Sequence, residues 1–377
     1  MSIVKSKKFF KRSFNLDEKQ AIIALNMVPG LGSVKINRLI GYCKKPQNVF
    51  KATENELLDV DGITEEIVKE IKEFNFSKLE NELKEAEKKN IKIITIYDES
   101  YPELLKSIYD PPPVLYIAGN NFRNADLNLG IVGTRAATDY AEEVIKKIIR
   151  EAKETKINLT VVSGMARGVD IIAHMQAIEN GFFTIAVLGY GLNELYPFEK
   201  NELVNAIYSK GILLSEFPLN TIATKQSFPI RNRVISGLSN GVLVVEAGEK
   251  SGALITADCA LEQGRDVFAI PGSIFYKKSK GTNNLIKQGA KLVDSFFDIL
   301  DEYRIKYEIE KKPDNTKIIE LKGDEKKVFE ILGVEKKHID NIAIESNIDI
   351  TKLNGVLTVL EMKGLVKQLS GKKFIKA

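Results

Sequence analysis

Between Asn128 and Leu300 short apolar runs alternate with amphipathic stretches at helical spacing. The runs are "LGIVGT", "LTVVSG", "FTIAVLG", "GILLSE", "GVLVVEAG", "DVFAIPG" and "AKLVD", with helical patterns such as "YAEEVIKKIIREAK" and "IIAHMQAI" between them. Nearly unbroken Val/Ile-rich strands that alternate with helices predict a parallel sheet covered on both faces, an α/β, Rossmann-like core. "IKIITIY" and "VLYIAGN" upstream read as further strands extending it. Before them, "AIIALNMVPGLGSVKINRLI" and "ENELLDVDGITEEIVKEI" each give helix, glycine turn, helix, so a helix-hairpin-helix (SAM-like) domain is expected. After a polar linker come three helical patterns and "VKQLSGKKFIKA", a hairpin about Ser370-Gly371, which together predict a winged helix. The expected organisation is a basic tail at 1–15, tandem helix-hairpin-helix at 16–76, extended Rossmann-like domain at 77–302, linker at 303–322 and winged helix at 323–377.

Right-handed crossovers bring all strand-to-helix loops to one edge of such a sheet, where ligands bind. Those loops carry Arg135, Arg167, Lys200, Lys225, Arg231, Arg233, Lys250, Lys277, Lys278 and Lys280, together with Gly133, Gly164, Gly189 and Gly252. In "FPIRNRVISG" a helix beginning at Arg231 and Arg233 would place cations on an end that already carries partial positive charge. Either an internal acid (Glu216, Glu246 or Asp170) or an external phosphate must answer them. Internal pairing of at least one is expected, whereas Arg135 and Lys225 lack an obvious nearby acid and are the stronger expected phosphate contacts. Lys277, Lys278 and Lys280 read as a solvated charge run, and His174 as a packed or locally bonded residue. Phe228, Tyr190, Tyr196, Phe198 and Phe217 could offer stacking faces. In the first helix-hairpin-helix unit Lys35 and Arg38 leave phosphate binding and a plain turn equally open; in the second, Asp59, Asp61, Glu65 and Glu66 favour the plain turn.

Composition narrows the classes. The chain has 377 residues, a net charge of +4, Cys43 and Cys259 without metal-ligand spacing, and His174 and His338 far apart, so zinc and disulfide frameworks are not indicated. No apolar run reaches bilayer length and "KSKKFFKRSF" lacks the form of a signal peptide, so a cytoplasmic protein without a membrane partner is expected. The turn after the first strand is Gly133-Thr134-Arg135 rather than G-x-G-x-x-G, there is no P-loop, and no G-x-S-x-G surrounds Ser163 or Ser251. No cofactor is expected. Cationic loops strung along one edge fit an extended polyanion such as single-stranded nucleic acid.

"VGTRAATDY", "SGMARGVDIIAH", "FPIRNRVISGLS", "VVEAGEKSGALITADCALEQGRDVFAIPG" and "KGTNNLIKQGA" together resemble the DNA-processing protein A (DprA, or Smf) family over roughly residues 90 to 300. The resemblance implies a non-enzymatic homodimer that binds single-stranded DNA and loads RecA recombinase during natural transformation. It carries family DNA contacts onto Arg135, Lys225 and the Ser163-Gly164 turn. The family often has a lysine where Phe198 stands here; Lys200 is the expected substitute. Residues and resemblance together make Gly133, Thr134, Arg135, Ser163, Gly164, Met165, Arg167, Gly189, Lys200, Lys225, Phe228, Arg231, Asn232, Arg233, Ser251 and Gly252 the candidate DNA-binding set. The rival reading is a nucleotide N-glycoside hydrolase using Glu246 as carboxylate catalyst. For the winged helix, Lys352 and Lys363 are sparse for groove reading, which favours a protein partner over DNA.

Overall fold

The structure is a computed structural model that describes residues 16–196, 198, 201–308, 321–333, 336–369 and 371–376. The chain divides into two compact units between residues 310 and 311.

The first unit opens with helices α1 (Glu18–Asn26), α2 (Ser33–Cys43), α3 (Pro46–Val49), α4 (Glu54–Leu58), α5 (Glu65–Lys72) and α6 (Phe76–Lys88). Asp17 and Thr53 start α1 and α4 with reciprocal capping boxes, which satisfy amide groups a helix start would otherwise leave bare. The two glycine turns are tied together, because Arg38 bonds both the carbonyl and the carboxylate of Asp61, the latter at 2.5 Å. Arg38 is therefore held by protein, and Lys35 donates to the Gly30 carbonyl at 3.2 Å.

Strand β1 (Ile91–Thr95), helix α7 (Glu103–Lys106) and strand β2 (Val114–Gly119) follow. The alternating core then runs β3 (Leu127–Val132), α8 (Asp139–Glu154), β4 (Leu159–Ser163), α9 (Val169–Glu179), β5 (Phe183–Leu188), α10 (Glu202–Lys210) and β6 (Ile212–Ser215). It continues through α11 (Ser227–Gly237), β7 (Gly241–Val244), α12 (Gly252–Glu262), β8 (Asp266–Ala269), α13 (Lys280–Lys287), β9 (Lys291–Leu292) and α14 (Phe296–Glu302).

These strands form one sheet in the order β1-β2-β6-β5-β4-β3-β7-β8-β9. From β6 through β9 all neighbours are parallel; β2 lies antiparallel to β6 and β1 to β2. Both faces are covered. In β5, Ile185 and Val187 enter one apolar cluster while Ala186 and Leu188 enter another. The latter also contains Leu25, Leu39 and Ile67 of the leading helices, so the helical segment shares its core with the sheet. Two polar links reinforce that seam: the buried Glu82 of α6 accepts from the Leu219 amide at 2.7 Å, and Asn26 donates to the Glu216 carbonyl at 3.1 Å. Both fasten the long β6–α11 connection. The chain steps outward from β3 to β6, then returns past β3 to begin β7. Loops after β3 and β7 therefore diverge and leave a crevice at a topological switch point.

The second unit contains α15 (Asp324–Ile331), β10 (Lys337–His338), α16 (Ile339–Ser346), α17 (Ile350–Met362), β11 (Val366–Leu369) and β12 (Lys373–Lys376). Val328, Ile342, Leu353, Leu357 and Leu360 make its core, and the sheet order is β10-β12-β11. This is a winged helix. The third strand is a two-residue element, too short to leave a periodic trace in sequence. Lys352 and Lys363, the cations of α17 and its end, bond Asp324 and Glu325 at 2.5 Å each.

Candidate functional site

The switch-point crevice opens into a cavity of about 650 Å³. Gly133–Arg135 after β3, Lys225–Asn232 at the start of α11, Lys250–Thr256 at the start of α12, and Lys277 and Lys278 before α13 contribute to its walls. With Ala166 of the β4–α9 loop, five strand-to-helix connections thus meet at the switch point.

At the floor lies Arg231, 4 % exposed. Its Nη1 donates to the Gly164 carbonyl at 2.5 Å and to the Val187 carbonyl, at the ends of β4 and β5. The guanidinium packs flat against Gly164: a Cβ there would stand 2.6 Å from Arg231 Cζ. The neighbouring charge is Asp170, whose carboxyl is pushed up to about 6 by burial and held back mainly by Arg231. Burial in turn lowers Arg231 against the opposing pull of Asp170. Asp170 is the main opposing charge for Arg231 but makes no direct ion pair with it, and the two carbonyls hold the guanidinium in place.

Arg233 is a correction to the candidate set. Its Nε bonds Asp110 at 3.0 Å and its Nη2 bonds Glu216 at 2.5 Å, with both Arg233 and Glu216 only 11 % exposed. Burial raises the Glu216 carboxyl, and Arg233 opposes that rise. Arg233 does not line the cavity. The charge puzzle at "FPIRNR" also dissolves, because α11 begins at Ser227, so Arg231 and Arg233 lie inside the helix rather than on its first turn. Thr224 and Ser227 cap each other, each amide donating to the other's hydroxyl at 3.1 Å, and this turn fixes the intervening Lys225 on the outside.

The rim is cationic and unanswered. Arg135, Lys225, Lys250 and Lys277 are exposed, and among the described residues none has a carboxylate within 4.0 Å. Arg135 lies over the Phe228 ring, 5.4 Å from its centroid. Lys278 is anchored by the Ala136 carbonyl at 2.6 Å and Lys280 by Glu249 at 3.4 Å, so the expected solvated run is an ordered turn. Lys250, Lys277 and Lys278 belong to the cavity wall yet were not in the candidate set; their place in strand-to-helix loops was the available signal.

Other candidates are placed differently. Gly133, Thr134, Asn232, Ser251 and Gly252 line the cavity. Thr134 is held by the Glu246 carbonyl at 2.7 Å, Asn232 donates to the Gly252 carbonyl at 3.3 Å, and Ser251 caps α12. Ser163 is fully buried and donates to the Ile131 carbonyl at 2.6 Å. Gly164 backs Arg231, and Gly189 lets Phe228 approach, with a built Cβ only 3.1 Å from its ring. These two glycines bring protein, rather than a ligand, close to the backbone. Met165 packs against the core, and Arg167 is exposed on the same β4–α9 loop outside the cavity wall. Lys200 lies outside the described residues. Among the aromatics Phe198 is core, stacked on Tyr208 at 5.0 Å, and Tyr190 packs against the same cluster. His174 is buried and bonds Thr184 through Nδ1 at 2.7 Å, which agrees with its reading as a packed residue.

A mostly parallel sheet with helices on both faces and a crevice rimmed by exposed cations at its switch point defines a Rossmann-like α/β protein. The chain belongs to the DNA recombination-mediator protein A family, whose profile matches residues 92–304, and the DprA winged helix domain profile matches residues 312–372. DNA processing protein DprA of Bacillus subtilis is 44 % identical over 234 residues, covering 62 % of this chain and 78 % of that protein. Protein Smf of Synechocystis is 39 % identical over 277 residues, covering 72 % of this chain and 69 % of that protein. The crystal structure of DNA processing protein A from Streptococcus pneumoniae superimposes with a TM-score of 0.65 at 35 % identity, over 75 % of this chain and 97 % of that one. A further match is DNA processing protein A from Helicobacter pylori, a single-stranded DNA binder, with a TM-score of 0.50 at 29 % identity over 58 % of this chain and 97 % of that one.

Proposed function

We propose that the first unit binds single-stranded DNA along the switch-point ledge and acts as a non-catalytic recombination mediator. The observation that carries this reading is the set of exposed Arg135, Lys225 and Lys250, without acid partners among the described residues, around a cavity whose lining holds one acid, the buried Asp170. Phosphates would meet these cations, and a base would lie against Phe228 beneath Arg135. The Helicobacter pylori relative binds the same class of ligand. Delivery of the bound strand to RecA recombinase, protection of incoming DNA in natural transformation and action as a homodimer in the cytoplasm extend the proposal on family grounds. Among the described residues no helix is long and apolar enough to cross a membrane.

The hydrolase reading is weakened by Glu246. Its carboxylate accepts from the Thr138 amide at 3.1 Å and hydroxyl at 2.9 Å, and it is 5 % exposed, so it fastens the start of α8 instead of facing a substrate. The winged helix, with both α17-region lysines ion-paired internally, is proposed to contact protein. Titration of labelled oligonucleotides of increasing length against salt tests the main reading: affinity should rise with length and fall steeply with salt. Salt-insensitive, length-independent binding, or release of free base from a mononucleotide, would overturn it.

A further inference from the structure

Resting on that reading, we infer that the β8–α13 loop is a second base-stacking subsite, which receives the strand as it leaves the switch-point cavity. Ile274, Phe275 and Tyr276 are 77 %, 89 % and 69 % exposed. Three consecutive bare apolar side chains are unfavourable in water unless something covers them.

The exposure belongs to a built loop. Asn283 clasps Gly272, accepting from its amide at 3.1 Å and donating to its carbonyl at 2.9 Å. Two successive turns, Tyr276 N to the Ser273 carbonyl and Ser279 N to the Tyr276 carbonyl, both at 3.1 Å, shape its crest. Lys278 ties it to Ala136, beside Arg135, and the Gly281 amide ties its far end to the Ala247 carbonyl at 2.8 Å. Held at its base and at Lys278, the loop cannot easily fold its crest inward.

Continuity and charge select the occupant. Lys277 and Lys278 follow the crest directly and line the same cavity as Arg135 and Phe228. An occupant that offers flat apolar faces and a negative backbone together satisfies both features, and a single strand does so at every nucleotide. Like Arg135 and Phe228 at the cavity, the loop offers aromatic side chains and cations close together, here as neighbours in the chain.

The test uses the full chain carrying Phe275→Ala and Tyr276→Ala together. Because both side chains are exposed, the fold should be unaffected. Binding of an oligonucleotide of about 20 nucleotides should weaken roughly 5- to 100-fold, while one of about six should be held as before and the salt slope should not change. The chain contains no tryptophan, so Phe275→Trp introduces a single indole whose fluorescence should be quenched by the longer oligonucleotide. Unchanged affinity at both lengths, or an unquenched indole, overturns the subsite while leaving the parent reading intact if Arg135→Ala still flattens the salt slope. Loss of self-association or of RecA binding with DNA affinity untouched overturns it in favour of a protein surface. If the wild type shows no salt-dependent affinity for oligonucleotides, the parent reading fails and the subsite with it.

Discussion

The guanidinium of Arg135 lies over the ring of Phe228, 5.4 Å from its centroid, so a cation and an aromatic ring from two different strand-to-helix connections meet at one point. Their contributions should separate. Arg135→Ala and Lys225→Ala should each reduce the slope of log affinity against log salt by about 0.7, as expected when one fewer phosphate of a single strand is neutralised. Binding isotherms at four or five salt concentrations measure this.

Phe228→Ala should weaken binding by about 1–3 kcal/mol while the salt slope stays put, since no charge is removed. Phe228→Tyr should retain most of the affinity. Parallel titrations of the two variants provide the comparison.

Arg233→Ala should act on stability. It would strand Glu216 and Asp110 at a largely buried site, a change expected to cost about 3–5 kcal/mol. Arg233→Lys should rescue poorly, because Nε and Nη2 serve two different acids and an ammonium cannot span them. Urea unfolding reports both, and folded variants should keep the wild-type salt slope for oligonucleotides.

Gly164→Ala should also destabilise the fold, by about 1–3 kcal/mol, because the added methyl overlaps the Arg231 guanidinium and that guanidinium is held in place by two carbonyls. Urea midpoints of the variant and wild type provide the check.

His174 sets an acid sensitivity. Burial chiefly, with Arg231 adding to it, lowers its folded-state pKa to about 3, against about 6.5 unfolded. The unfolded chain therefore binds the proton first, so stability from this group is present above pH 6.5 and is lost as pH falls toward 3. Asp170, raised to about 6, works in the opposite direction: its contribution is lost as pH rises from about 4 to 6. Comparing wild type with His174→Gln isolates the histidine. The stability difference between them should shift by about 2 kcal/mol against the wild type between pH 7.5 and pH 5.

The strands, the helices and the sheet edge where the loops gather were legible because they rest on relations between near neighbours. Val/Ile runs at strand length, apolar positions at helical spacing and the position of each loop after a strand are local properties. For the same reason Arg135 and Lys225 could be singled out: neither has an obvious acid partner beside it in the chain, and among the described residues no carboxylate lies within 4.0 Å of either. The two-residue β10 and the true start of α11 escaped, the first for want of length and the second because the Thr224–Ser227 capping pair, rather than the arginines, begins the helix.

What the chain order alone could not settle was the use of each charge and each glycine. Arg233 finds Asp110, far away in sequence, as well as Glu216; Gly164 is small because Arg231 arrives from another loop; Lys278 is ordered because the Ala136 carbonyl is within reach. Periodicity records what adjacent residues share, so it writes the elements into the sequence. Whether a cation is spent or left for a ligand depends on distances between residues that only folding brings together, and so belongs to the tertiary structure.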